Sequence, residues 1–447
     1  MRVVRFWRCM DRQWQGMNTR TGLLFFFVVF FLFFAKASLE FNDRIGLEDW
    51  KSDLRADAAG YYIYLPGTLH HGMRASNVSD SLVWKGGNGF HLDTDKDRII
   101  TKYTCGTALM QFPFYLVAES LEGFGTTDGW TRTHHRAIEV AGVFYWTSGL
   151  LLFLLAMRRW KPVPAGVALV TLVCIAFGTN SFYYAFRAAG YSHVYSFFLV
   201  ALAMYCLYAD RGRDVRKGHL RLFQLACALL IVVRPIDGLA VLGLYALLWF
   251  ERPEPFRSWR MYAGQAALGL VAVLPQLIYW QFVHGSWLVY SYGDESFTNL
   301  ATPLFDLVLF SPMNGLLPHA PAFFLLIPAV VFLFVQQWRL AVLLVVMFTL
   351  LIYSFAAWHA WHFGCGYGMR PAVEYTPFLG LALWSMFGTL QRRWPSVFHG
   401  ALPVVFIVCF VNYRAMLQYG GCYVTEQWDW VPYGRNLLEA FFGHVQF

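Results

Sequence analysis

The chain has 447 residues, 57% of them hydrophobic and only 14% charged, with a mean hydropathy of +0.44. Soluble domains carry about 25% charged residues, so a soluble globular protein is excluded and an all-α polytopic membrane protein is expected. The net charge of +8 does not point to nucleic acid, because the basic residues form short clusters between apolar runs, which is the pattern of topology signals.

Residues 1–21 hold Arg2, Arg5, Arg8, Arg12 and Arg20 and read as a cytoplasmic basic N-terminus. The apolar run at 22–37 is expected to stay as a first transmembrane helix, since no clear small-residue cleavage site precedes the acidic "SLEFND". Residues 38–137 are polar enough to lie outside the bilayer as a large first outer loop. Within them "AAGYYIYLPGTLHHG" and "GTALMQFPFYLVAESL" are short and amphipathic, as expected of helices along the interface.

Ten further spans are expected near 138–157, 163–180, 193–209, 219–233, 237–250, 262–283, 318–335, 340–356, 374–390 and 397–414, making about eleven in all. The loops that alternation assigns to the cytoplasm are "RRWK", "DRGRDVRKGHLR", "ERPEPFRSWR", "QQWR" and "QRRW", each short and basic as the positive-inside rule requires. The pair near 219–250 is interrupted by "RPID" and is taken as two spans. Residues 415–447 form an outer tail. Of the eight cysteines, Cys105, Cys365 and Cys422 fall in outer segments, and spacing does not choose a disulfide among them.

This topology assigns Asp57, Lys102, His193, Arg234, Tyr290, Glu295, Arg370 and Glu374 to one side of the membrane at similar depth. Ionisable groups at membrane depth are candidates for function, because burying them is costly unless they are paired. Each also has a structural alternative. Asp57 is able to pair with Arg55, Lys102 to snorkel to the interface, and Arg370 with Glu374, four residues on, to form a local ion pair. "DTDKD" at 93–97 has the alternating carboxylates of a calcium loop but lacks its glycine and distal glutamate. "NVS" at 77–79 is a formal glycosylation sequon, and "AWHAWHF" reads as an aromatic belt.

The order of several segments carries a resemblance. "RADAAGYYIYLP", "KYTCGTALMQFPFYLVA", "SHVYSFFLVAL", "RPIDGLAVL", "YSYGDESF" followed by "LFSPMNGLLPHAP", and "GYGMRPAVEYTPFLGLAL" together resemble the membrane glycosyltransferases of GT-C fold, in the branch of protein O-mannosyltransferases and the lipid A aminoarabinose transferase. The resemblance implies a polyprenyl-phosphate-linked sugar donor and catalysis at the periplasmic face of a bacterial inner membrane. The aminoarabinose transferase has a second acid directly after its first-loop aspartate, whereas Ala58 follows Asp57 here, so both Asp57 and Asp53 remain open as the matching residue.

The mechanism expected on this basis is a single inverting displacement. The lipid phosphate is a good leaving group and needs cations rather than a general acid, which Lys102, Arg370 and Arg234 would supply. Asp57 would take the acceptor's proton, and Tyr61, Tyr62, Tyr103, His193, Tyr290, Glu295 and Glu374 would position substrate. No metal or other cofactor is expected, with a divalent ion left open. The partners are the donor, membrane lipids and a lipid, glycan or protein acceptor. The alternative is a transporter or flippase of a lipid-linked saccharide, although polar residues crowded on one face lack the two-fold arrangement common in transporters.

Overall fold

A computed structural model describes residues 20–45, 54–211, 216–420, 422, 424 and 428–443. Each of the eleven expected apolar segments is helical. The first is α1 (Arg20–Ile45), eight residues longer at its C-terminal end than the apolar run. The added turns carry Ser38 and Asn42, which are buried and donate to the Phe186 carbonyl at 2.7 and 2.9 Å, so their polar groups are satisfied within the helix packing.

A cap of short elements follows: α2 (Asp57–Tyr62), α3 (Tyr64–Leu69), α4 (Asp80–Gly86), the antiparallel hairpin β1 (Phe90–Asp93) and β2 (Arg98–Thr101), and α5 (Gly106–Glu122). The stretch "DTDKD" is the turn of this hairpin. Asp93 accepts from the Lys96 N–H at 2.9 Å and Asp97 from the Ser76 N–H at 2.8 Å. These carboxylates cap backbone donors, a common role for Asp in turns, and no group of three metal-ligating side chains gathers among the described residues.

The bundle comprises α6 (Arg132–Trp160), α7 (Ala165–Phe177), the short α8 (Ser181–Phe186), α9 (His193–Ala209), α10 (Lys217–Val233), α11 (Gly238–Glu251), α12 (Trp259–His284), the short α13 (Phe305–Phe310) and α14 (Leu316–His319), α15 (Leu326–Gln336), α16 (Trp338–Ala357), α17 (Thr376–Arg393), α18 (Pro395–Gln418) and α19 (Trp430–Phe442). The segments near 219–250 are two helices, α10 and α11, parted by a 3-10 turn at Pro235–Asp237. Five helices, α1, α6, α12, α16 and α18, are long and apolar enough to cross a bilayer by length and composition.

The centre is α6 against α9, with α10 on the far side of α9 and α1 on the outer side of α6. Every residue of α17 from Thr376 to Thr389 is buried. In contrast α12 exposes Leu270, Val271 and Ile278, a surface suited to acyl chains. Its few inward polar groups stitch the cap to the bundle. Gln276 accepts from the Cys105 N–H at 2.7 Å, and the Tyr279 hydroxyl accepts from the Thr101 N–H at 2.8 Å. Those bonds hold the segment carrying Lys102 and Tyr103 over the helix ends.

A second tie lies within the cap. Glu119 of α5 accepts from His70 Nε2 at 2.7 Å and from His134 Nε2 at 2.9 Å, joining α3, α5 and α6. Burial alone would raise the Glu119 pKa, but the hydrogen bonds from His70, His134 and Tyr115 bring it below its ordinary value.

Candidate functional site

Asp57 opens α2 next to a strained residue. Ala56 has φ 49° and ψ −121°, a region that a residue with a Cβ occupies at a cost of about 1–3 kcal/mol. Its N–H donates to the Lys85 carbonyl at 2.8 Å, and its carbonyl accepts from the Gly60 N–H at 2.9 Å. The strain is thus imposed by the cap, and it turns Asp57 toward the bundle.

There Asp57 Oδ2 accepts from Arg370 Nη2 at 2.6 Å. Its other structural option is not taken: Arg55 lies over the Trp84 ring at 5.3 Å. Burial pushes the Asp57 carboxyl up, but the Arg370 charge, hydrogen bonding from Tyr103 and the charge of Lys102 together hold it below the usual carboxylate range. Burial and then the Asp57 charge push the Tyr103 phenol well up, so it remains a hydrogen-bond donor.

Arg370 begins the 3-10 turn Arg370–Tyr375 that leads into α17. It does not pair with Glu374. Instead its guanidinium lies 5.1 Å from the centre of the Tyr191 ring, while Glu374 takes partners from two other elements. Glu374 Oε1 accepts from Arg234 Nη1 at 2.5 Å, and its Oε2 lies 3.2 Å from His193 Nδ1. Arg234 Nη1 is also 2.8 Å from that His193 nitrogen. Glu374 is wholly buried, so the pair is retained because either charge alone would be strongly disfavoured there.

The third pair is Lys102 Nζ with Glu295 Oε1 at 2.5 Å. Lys102 is therefore tied to a carboxylate and is not a solvent-seeking interface lysine. Tyrosines bridge the three pairs. The Tyr61 and Tyr103 rings lie 4.1 Å apart, and the Tyr61 hydroxyl accepts from Ser192 Oγ at 3.2 Å. The charges of Arg234, Asp57 and Arg370 all bear on Tyr61.

Asp57, Lys102, Arg234, Glu295, Arg370, Glu374, His193, Tyr61 and Tyr103 thus come together from the cap, the starts of α9 and α17, the end of α10 and the loop after α12. Two expected residues do not join them. Tyr62 points away, packs on Trp130 with ring centres 4.8 Å apart, and donates to the Gly129 carbonyl at 2.5 Å. Tyr290 is 63% exposed and its hydroxyl donates to the Glu295 carbonyl, holding the loop from outside. The inward tyrosine of that loop is Tyr292, on which the charges of Arg234, Asp57 and Glu295 converge. Tyr191 was also missed by the sequence reading. Nothing in "YSYG" or "GYSH" separates the inward tyrosine from its neighbours. Asp53 lies outside the described residues.

The three cations are each occupied by a carboxylate. An open cavity of about 280 Å³ lies elsewhere, among Tyr208, Leu247, Phe250, Glu251, Trp338 and Arg339, and contains none of these groups. The cluster, where charges converge, is the stronger candidate on chemical grounds.

No family model matches the chain and no curated protein does. Among solved structures it is similar to the crystal structure of ArnT from Cupriavidus metallidurans bound to undecaprenyl phosphate. The TM-score is 0.54 at 15% sequence identity, with 95% of this chain and 74% of that chain covered. The chain therefore has the GT-C fold of a polytopic helical membrane protein, as the segment order implied.

Proposed function

We propose that the chain is a membrane glycosyltransferase that moves a sugar from a polyprenyl-phosphate donor to an acceptor at the extracytoplasmic face. The observation that carries this reading is the meeting of three cations and three carboxylates around a tyrosine wall, in a chain with the fold of a transferase structure that binds undecaprenyl phosphate. The disulfide between Cys365 and Cys422 favours an oxidising compartment for this face. On this reading the chain crosses the membrane about eleven times with its basic loops and N-terminus cytoplasmic.

In the mechanism, Lys102, Arg370 and Arg234 are drawn from their carboxylates to the donor phosphate and stabilise the charge that grows on it as the glycosidic bond breaks. Asp57 accepts the proton of the acceptor's hydroxyl or amine as its oxygen or nitrogen attacks the anomeric carbon, inverting it. Glu295 and Glu374, released from their cations, accept hydrogen bonds from the sugar or acceptor. Tyr61, Tyr103 and Tyr292 offer ring faces and hydroxyls to a saccharide.

The test is turnover in proteoliposomes with a panel of undecaprenyl-phosphate sugars and a cell-envelope extract as acceptor. Release of free undecaprenyl phosphate that depends on both sugar and acceptor supports the reading. Movement of labelled lipid-linked saccharide between leaflets without any release makes the chain a flippase.

A further inference from the structure

Arg370 sits at the end of a loop, residues 362–369, that is fastened from two sides. On the bundle side two buried asparagines hold its backbone and a third holds the Tyr367 side chain. Asn314 Nδ2 donates to the carbonyls of His362 and Gly364, both at 2.9 Å, and its Oδ1 accepts from the Gly368 N–H at 3.2 Å. Asn180 donates to the Tyr367 carbonyl at 3.1 Å, and Asn412 accepts from the Tyr367 hydroxyl at 2.9 Å. The loop fits only as glycine at two points. Gly366 (φ +155°) has Tyr184 Oη 2.6 Å from where a Cβ would stand, and a Cβ at Gly368 (φ +68°) would collide with His319.

The other side is held by the segment after α18. The Gly366 N–H donates to the Tyr419 hydroxyl at 3.1 Å, and Cys365 is bonded to Cys422 across 57 residues. The far end is anchored in turn, since Arg187 donates to the carbonyls of Met416, Leu417 and Tyr419. Cys365 is exposed, so a small dithiol reaches it, whereas the asparagines are sealed in.

We propose that the Cys365–Cys422 bond and Tyr419 form a clasp that positions Arg370 against Asp57, making the site sensitive to thiol reduction. The consequence for turnover rests on the glycosyltransferase reading; the effect on Arg370 does not. A dithiol supplies two electrons and two protons, the S–S bond opens to two thiols, and the reductant closes to its own disulfide. The loop then keeps its inner fastenings and loses its outer one. A displacement of about 1 Å at such a site is enough to cost about 100-fold in rate.

The test follows Arg370 directly, by the rate of phenylglyoxal modification read by peptide mass spectrometry, with Arg98 as internal reference. Wild type is compared before and after dithiothreitol, alongside Cys365→Ser/Cys422→Ser and Tyr419→Phe. The expected result is that Arg370 reacts about tenfold faster relative to Arg98 in the reduced protein and in the double variant, and severalfold faster in Tyr419→Phe. Undecaprenyl phosphate binding should weaken in the same order. Cys365 or Cys422 found as a free thiol in the untreated protein, or an unchanged Arg370-to-Arg98 ratio after alkylation has verified that this bond is reduced, would overturn the clasp. Equal acceleration of both arginines would indicate general loosening and would also overturn it. A faster Arg370 in a protein that transfers no sugar would uphold the clasp and remove the proposed function.

Discussion

Arg370 Nη2 and Asp57 Oδ2 stand 2.6 Å apart although 313 residues separate them in sequence. One arrives on a glycine-rich loop before α17 and the other on the first turn of the cap, so the contact closes the outer cap onto the bundle.

That contact fixes a pH dependence. Asp57 is held below its ordinary pKa, so as a base it stays ionised down to pH values below about 4, and activity that depends on it falls only there. In Arg370→Gln the largest influence opposing burial is gone and only Tyr103 and Lys102 remain against it, so the acid limb of residual activity should move toward neutral pH. A pH–rate profile in proteoliposomes checks the direction; a limb that stays in place would separate Arg370 from Asp57.

Glu374 and Arg234 make a different prediction. Glu374→Gln removes the direct partner of Arg234 and leaves the buried Asp237 as its nearby negative charge, so the loss should lie at or below the roughly 3–5 kcal/mol that breaking a buried pair costs. The melting temperature in detergent should drop sharply, while Glu374→Gln combined with Arg234→Met should recover part of the loss.

The backbone at Ala56 predicts a gain. With φ at 49°, Ala56→Gly removes a strain of about 1–3 kcal/mol and adds an entropic cost of about 0.4–1 kcal/mol in the unfolded chain. A net stabilisation of about 1 kcal/mol is expected, read as a higher melting temperature. A lower one would mean that the conformation is not strained in the folded protein.

Glu119 ties the cap together away from the reacting groups. Its pKa is depressed, so its contribution to stability is present above the unfolded value near 4.3 and is lost as pH falls through the folded value. Glu119→Gln should cost about 1–3 kcal/mol at neutral pH, and the gap between variant and wild type should narrow below about pH 4.

The helices were legible because hydropathy and basic loops are long-range regularities that need no knowledge of packing. Even "RPID" gave the correct break between α10 and α11. The polar gathering was legible for the same reason, since it followed from assigning Asp57, Lys102, Arg234, Glu295, Arg370 and Glu374 to one face. What the sequence could not show was pairing. Arg370 and Glu374 are four residues apart, yet a 3-10 turn sends them to different partners. Tyr62 and Tyr290 lie beside Tyr61 and Tyr292, and only side-chain direction tells the inward member of each couple. The Cys365–Cys422 bond depended on the fold of the 362–369 loop, which spacing does not encode.

The most direct measurement of the central claim compares wild type with Asp57→Asn in proteoliposomes, following both undecaprenyl phosphate binding and sugar-dependent turnover. The variant should bind the lipid phosphate within a few-fold of wild type and lose turnover by about 10²–10⁴-fold. Turnover that survives the substitution would contradict the assignment of Asp57 as the base.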